Sequence, residues 1–317
     1  MRFLITGVSG FAGTALARHL SADGHDVFGT TRHADGVTAT GSPLSADHVF
    51  AAPLDDAPRL AEVINQIAPD GIFHLAAFTN PAASFNDPRA AYRANLHGSL
   101  HLFAAVRSLS NPCRLVWVGS SDVYGLVEAR ELPVTESNLF RPLSPYAVSK
   151  AAADLAAYQW SRAHGLDVVR MRPFNHTGPG QDAQYVCSDF ARQLITAERG
   201  DRPAQVEVGN LDVTRDFSDV RDVVRAYALA WERGSAGEAY NVCSGVPRTA
   251  REILEALIGL SAIDATVVVR AERQRRVDVP LLVGSAVKLH TATGWTPKIS
   301  WDQTLRDLLD DWRTRVG

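Results

Sequence analysis

The chain has 317 residues, 46% hydrophobic and 21% charged, the balance of a soluble globular protein long enough for one large domain or two lobes. A net charge of −3 argues against a basic nucleic-acid surface, and no apolar run approaches the roughly 18–20 residues of a membrane span. Cys113, Cys187 and Cys243 lie far apart with no CxxC pair. They read as reduced, small core residues of a cytoplasmic protein, with no disulfide or metal framework.

Arg2–Thr6 reads as a strand, and its start at residue 2 leaves no room for a signal peptide. It runs into Gly7, Gly10 and Gly13 at GxxGxxG spacing, which allows a tight turn and close backbone approach to a pyrophosphate. A helix over about Phe11–Ala22 would present its unpaired N–H groups there. Asp26–Thr30 is the next strand, Leu60–Ala68 is helical, and Gly71–Leu75 is a strand ending in small residues. A long helix over about Pro88–Ser108 precedes the strand Arg114–Val118. The helix Pro145–His164 carries Tyr146 and Lys150, four residues apart and so on one face. An ammonium beside a phenol is expected to lower its pKa and let it exchange a proton with a carbonyl or alcohol oxygen. The combination points to a nicotinamide-dependent enzyme.

Asp167–Met171 is the next strand, then Pro173–Gly180 is a loop rich in breakers. Helices follow near Tyr185–Arg199, Val220–Glu232, Arg251–Leu260, Ser285–Thr293 and Trp301–Arg315, with short strands between. The alternation predicts an α/β fold of Rossmann type: a doubly wound parallel sheet with helices on both faces and its ligand beyond the strands' carboxyl ends. Residues 1–172 are expected to form the nucleotide-binding domain, with parts of about 209–245 returning to it. Residues 173–317 then form a smaller mixed lobe.

The elements Gly7-x-x-Gly10-x-x-Gly13, His74-Leu-Ala-Ala77, Ser120-Ser-Asp-Val-Tyr-Gly125 and Tyr146-x-x-x-Lys150 resemble the extended short-chain dehydrogenase/reductase family. The runs Arg172-Pro-Phe-Asn-His-Thr-Gly-Pro-Gly-Gln181, Ser188-Asp-Phe-Ala-Arg192 and Gly209 to Arg221 are similar to its GDP-sugar branch. That branch holds GDP-mannose 4,6-dehydratases and GDP-6-deoxy-4-keto-sugar reductases. The resemblance implies Ser120, Tyr146 and Lys150 as catalytic groups, with Lys150 also on the nicotinamide ribose. Ser120 ends its strand and would donate to the substrate oxygen, while a turn-capping role suits Ser121 better. Phe11, Ala12, Leu54, Leu75, Ala76, Ala77 and Pro173 are implied on the cofactor. Asn95 either supports the lysine through a water or is a helix-surface amide.

Phe28-Gly-Thr-Thr31-Arg32 lacks the carboxylate that holds an NAD ribose, so Thr31 and Arg32 favour NADP(H), with NAD(H) as the alternative. A solvated loop arginine is the other reading of Arg32. Pro53 stands where the family usually shows an adenine-side Asp. On the substrate side, Arg192, Arg215 and Arg275 are implied on a diphosphate, joined by Asn175, Ser121 and Asp122. His176 reads equally as a sugar contact or a packed loop residue.

A 4,6-dehydratase typically has Glu where this chain has Asp122, and an arginine-rich insertion where residues 33–48 contain no arginine. The expectation is therefore a reductase acting on a GDP-linked 4-keto-6-deoxyhexose, as a homodimer with no nucleic-acid or membrane partner. Alternatives are a dehydratase, another nucleotide-sugar epimerase, or a non-catalytic nucleotide-sensing relative.

Overall fold

Strands and helices alternate from the first residues of the computed structural model, which describes residues 1–33, 43–273 and 279–316. In chain order the first half is β1 (Arg2–Thr6), α1 (Phe11–Ala22), β2 (Asp26–Thr31), β3 (Val49–Ala51), α2 (Ala57–Ile67) and β4 (Gly71–His74). Then come α3 (Pro88–Tyr92), α4 (Gly98–Arg107), β5 (Arg114–Val118), α5 (Pro145–His164) and β6 (Val168–Pro173). The second half holds β7 (Asn175–Thr177), α6 (Val186–Glu198), β8 (Gln205–Val208), β9 (Thr214–Asp219), α7 (Val220–Arg233) and β10 (Ala239–Val242). It ends with β11 (Pro247–Thr249), α8 (Ala250–Leu260), β12 (Thr266–Val269), β13 (Leu281–Leu282), α9 (Val287–Thr293) and α10 (Trp301–Arg315).

Seven of the strands form one sheet in the order β10-β6-β5-β4-β1-β2-β3, every neighbouring pair parallel. Strands β4, β6 and β10 are buried throughout, because a parallel sheet sandwiched by helices hides both faces. One face packs α1 and α7 around Leu16, Leu20, Val223 and Tyr227; the other packs Leu60, Ile64, Leu102 and Ala153 of α2, α4 and α5. A third core of Phe190, Leu194, Leu254, Leu308 and Trp312 builds the second lobe. Thus α7 and β10 come late in the chain yet belong to the main sheet.

The helix expected over Pro88–Ser108 is not continuous α-helix. A π-turn at Arg93–His97 separates α3 from α4, and such turns gather at functional sites. α5 is firmly delimited: Ser144 caps Ala147 N–H at 3.1 Å, Pro145 opens the helix, and Gly165 closes it in the left-handed region. Its mid-section carries Asp154, fully buried between Arg170 and Arg172 of β6. Removing that carboxylate would leave two buried guanidiniums uncompensated, a loss of about 3–5 kcal/mol. All three cysteines are buried free thiols.

Candidate active site

The glycine turn leaves no room for side chains. Gly7 has φ +73°, and a Cβ there would stand 2.8 Å from Ala76 Cα; at Gly13 it would stand 2.2 Å from Gly7 O. α1 starts at Gly10 without a side-chain cap, so its first N–H groups are available to an anion. Half-buried Phe11 and Ala12 open α1, half-buried Leu75, Ala76 and Ala77 follow β4, and Leu54 follows β3 against Gly98. Pro173 is buried at the end of β6. This cradle, which a Cβ would fill, fits a dinucleotide. At the end of β2, Arg32 is exposed and no carboxylate occurs among residues 28–33. Thr31 is buried and donates its hydroxyl to His33 O at 2.7 Å, so it shapes the turn instead of offering that hydroxyl outward. Residues 34–42, most of the arginine-free stretch, lie outside the described residues.

Tyr146, 8% exposed, sits in the first turn of α5. Its N–H donates to Ser84 Oγ at 3.1 Å, and its carbonyl accepts from Ser149 Oγ at 2.7 Å. Asn95, on the π-turn, donates to Ser149 Oγ at 2.8 Å and exchanges hydrogen bonds with the N–H and C=O of Phe78. The surface reading of Asn95 is thereby corrected: it is 2% exposed, and its amide braces the tyrosine's turn and the loop after β4.

The phenol's pKa runs opposite to expectation. Burial, then the charge of Asp122, pushes it well above the ordinary value, against a lowering hydrogen bond from Ser120; Tyr185 also raises it. Lys150 is not among the causes, because its ammonium is directed to Val118 O (2.9 Å) and lies over the Trp117 ring (5.4 Å). Burial lowers the lysine itself to about 8. Burial thus favours the protonated phenol and weakens the hold of the lysine on its charge. Ser120 stands two residues beyond β5, and its Oγ accepts from Asp122 N–H at 3.1 Å, so the capping role expected of Ser121 belongs to Ser120. Ser121 is buried; Asp122 is half-buried and acts electrostatically on Tyr146.

A buried relay unforeseen in the sequence ties these parts together. Ser99 donates its one proton to Asn95 O (2.7 Å) and accepts from Trp117 Nε1 (3.0 Å), so His74 Nε2 must be the donor across their 3.2 Å contact. His74 Nδ1 then accepts from Thr6 Oγ1 (2.7 Å), which in turn accepts from Ala76 N–H (3.2 Å). Burial, with Lys150's charge, drops His74 to about 3 and keeps it neutral.

The second lobe places its candidates unevenly. Asn175 and His176 lie on β7; the His176 ring stacks on Phe11 (5.9 Å, 7°), and its Nδ1 donates to Phe174 O at 3.0 Å. The ring is therefore packed against the glycine turn. Arg192 pairs with Asp189 at 2.8 Å, and Asp189 also holds Arg273 at 2.6 Å. Half-buried Arg215 donates to Thr214 O at 2.9 Å; Arg275 lies outside the described residues. The lobes meet where Thr79 Oγ1 lies 3.1 Å from Tyr185 OH and Asn80 donates to Gln184 at 3.1 Å. Among the described residues no group of three or more His, Cys, Asp or Glu could hold a metal, and no helix is long and apolar enough to cross a membrane.

A seven-stranded parallel sheet, a glycine-turn cradle and a Ser–Tyr–Lys constellation at the end of β5 define an enzyme of the short-chain dehydrogenase/reductase type. The chain belongs to the GDP-mannose 4,6 dehydratase family, whose model matches residues 4–308. It is 36% identical to the GDP-6-deoxy-D-mannose reductase of Pseudomonas aeruginosa, over 99% of this chain and 98% of that one. It is 26% identical to a GDP-mannose 4,6-dehydratase of Vibrio cholerae, over 96% and 92% respectively. The structure of RMD from Pseudomonas aeruginosa complexed with NADPH matches with a TM-score of 0.87, 35% identity and 99% coverage of both chains.

Proposed function

We propose that this protein reduces the C4 ketone of GDP-4-keto-6-deoxy-D-mannose with NADPH, giving GDP-D-rhamnose or its C4 epimer, GDP-6-deoxy-D-talose. The observation that carries the reading is the buried Tyr146 beside Ser120, in the turn that follows β5. NADPH supplies the hydride to C4. Tyr146 delivers its proton to the C4 oxygen, which becomes far more basic than a phenolate once hydride arrives. Ser120 donates a hydrogen bond to the same oxygen, and two donors stabilise the developing charge better than one. The Lys150 ammonium holds the nicotinamide ribose and supplies positive charge within the buried site. Arg32 favours a 2′-phosphate at the end of β2, while Arg192, Arg215, Arg275 and Asn175 serve the sugar nucleotide.

A second reading, 4,6-dehydration, rests on Asp122, the carboxylate near enough to Tyr146 to raise its pKa. The higher identity to the reductase than to the dehydratase weighs for reduction. Incubation with NADPH and the keto-sugar nucleotide, followed by NMR of the product, tests the reading and fixes the C4 configuration. Failure to consume NADPH would refute it, and conversion of GDP-mannose alone would move it to the dehydratase.

The protein is further proposed to work as a cytoplasmic homodimer through α3, α4 and α5. There Val148, Leu155 and Tyr158 are 37%, 59% and 44% exposed, and Ala94, Ala104, Ala152 and Ala156 offer small side chains. Ala105, Ala151 and Ala157 of the same helices are buried within the protomer. Light scattering at micromolar concentration checks this; a monomer would refute it.

A further inference from the structure

The two segments that carry the site's chemistry, α5 and the turn after β5, are joined by one guanidinium. Arg172 is 4% exposed on β6. Its Nε and Nη2 grip the Asp154 carboxylate at 2.9 Å each, and its Nη1 donates to Tyr124 OH at 2.9 Å and Glu136 O at 3.1 Å. Asp154 stands one helical turn beyond Lys150 and two beyond Tyr146, on the same buried face of α5. Tyr124 is the residue that closes the short turn begun by Ser120 and containing Asp122. The Tyr124 hydroxyl, fully buried, passes its own proton to Asn241 Oδ1 at 2.7 Å, and Asn241 donates onward to Val134 O at 3.0 Å. A forked donor with rigid geometry fixes both directions at once, which an ammonium in its place could not do.

We propose that Arg172 and Tyr124 are positioning residues: the Asp154–Arg172–Tyr124–Asn241 chain sets Ser120 in register with Tyr146 and Lys150. Neither residue touches the reacting atoms. Their effect is transmitted through the Ser120 turn, where a displacement well under an ångström weakens a hydrogen bond to the developing oxyanion. This rests on the reading of Ser120 as an oxyanion donor.

The test is a double-mutant cycle of Ser120→Ala and Tyr124→Phe in the full-length enzyme, with NADPH and the keto-sugar nucleotide. Phe keeps the ring and removes only the hydroxyl. Alone, Tyr124→Phe should lower kcat about tenfold while leaving KM for NADPH unchanged, as misplacement of a transition-state donor requires. In the Ser120→Ala background it should have almost no further effect, because the donor it positions is gone. A purely structural hydroxyl would shift the melting temperature and leave kcat per folded enzyme alone. An unchanged kcat, or two effects that simply multiply, would overturn the proposal. If Ser120→Ala itself keeps full activity, it is the reading of the site that fails. Should Tyr124→Phe not fold, Asn241→Ala removes the phenol's acceptor and carries the same cycle.

Discussion

Raising the pH should silence this enzyme through Lys150 before any other group in the site. Burial lowers the ammonium from the ordinary 10.5 to about 8. That lowering corresponds to about 3 kcal/mol of disfavoured charge. At pH 7 about nine-tenths of the molecules still carry the charge, and at pH 9 only about one-tenth do. Since the charged form works, kcat/KM should be level below about pH 8 and fall about tenfold per unit above it. Tyr146 cannot produce that limb, because burial and Asp122 hold its phenol above this range. The assay is NADPH consumption at low, varied keto-sugar concentration from about pH 6 to about pH 10, on wild type and Lys150→Arg. The variant should be slower, since a fork fits poorly on a single carbonyl, but its guanidinium does not titrate and the limb should vanish. A flat wild-type profile to pH 10, or the same limb in Lys150→Arg, would refute the assignment.

Tyr146→Phe keeps the ring and loses the proton, so kcat should fall roughly 10²–10⁴-fold in steady-state assays with little change in KM. Arg32→Ala should narrow the preference for NADPH over NADH in kcat/KM, and a wild type that prefers NADH would contradict the reading of β2. His74 has its folded value depressed to about 3 from 6.5, so its neutral form stabilises the fold fully above about pH 6.5, and that stability is lost as pH falls toward 3. Between pH 7 and pH 5 the loss from this group is about 2 kcal/mol. Urea unfolding at both values should show His74→Gln losing less than wild type between them, and equal losses would exclude the relay as the cause.

The sheet was legible because its signals are local: buried strands read as apolar runs, and glycines at fixed spacing can serve few geometries. Tyr146 and Lys150 were legible by helical periodicity. What escaped depends on partners distant in sequence. Asn95 reads as a surface amide until Phe78 and Ser149 close around it, and His74 gives no hint that Thr6 and Ser99 flank it. The direction of the Tyr146 shift was misjudged for the same reason: spacing puts a lysine one turn away but does not reveal that Val118 O claims it. Asp154 did carry a usable signal, a carboxylate four residues past Lys150 on a face otherwise buried.

The Thr79–Tyr185 and Asn80–Gln184 pairs bridge the loop after β4 to the segment before α6. Both are solvent-exposed hydrogen bonds between neutral side chains, each worth about 0.5–1.5 kcal/mol. Together they favour the bridged arrangement by only about 1–3 kcal/mol. A substrate that gains any new contact with Tyr185 or Gln184 can replace what it breaks. Such a bridge yields readily to a ligand that offers its polar groups equivalent partners.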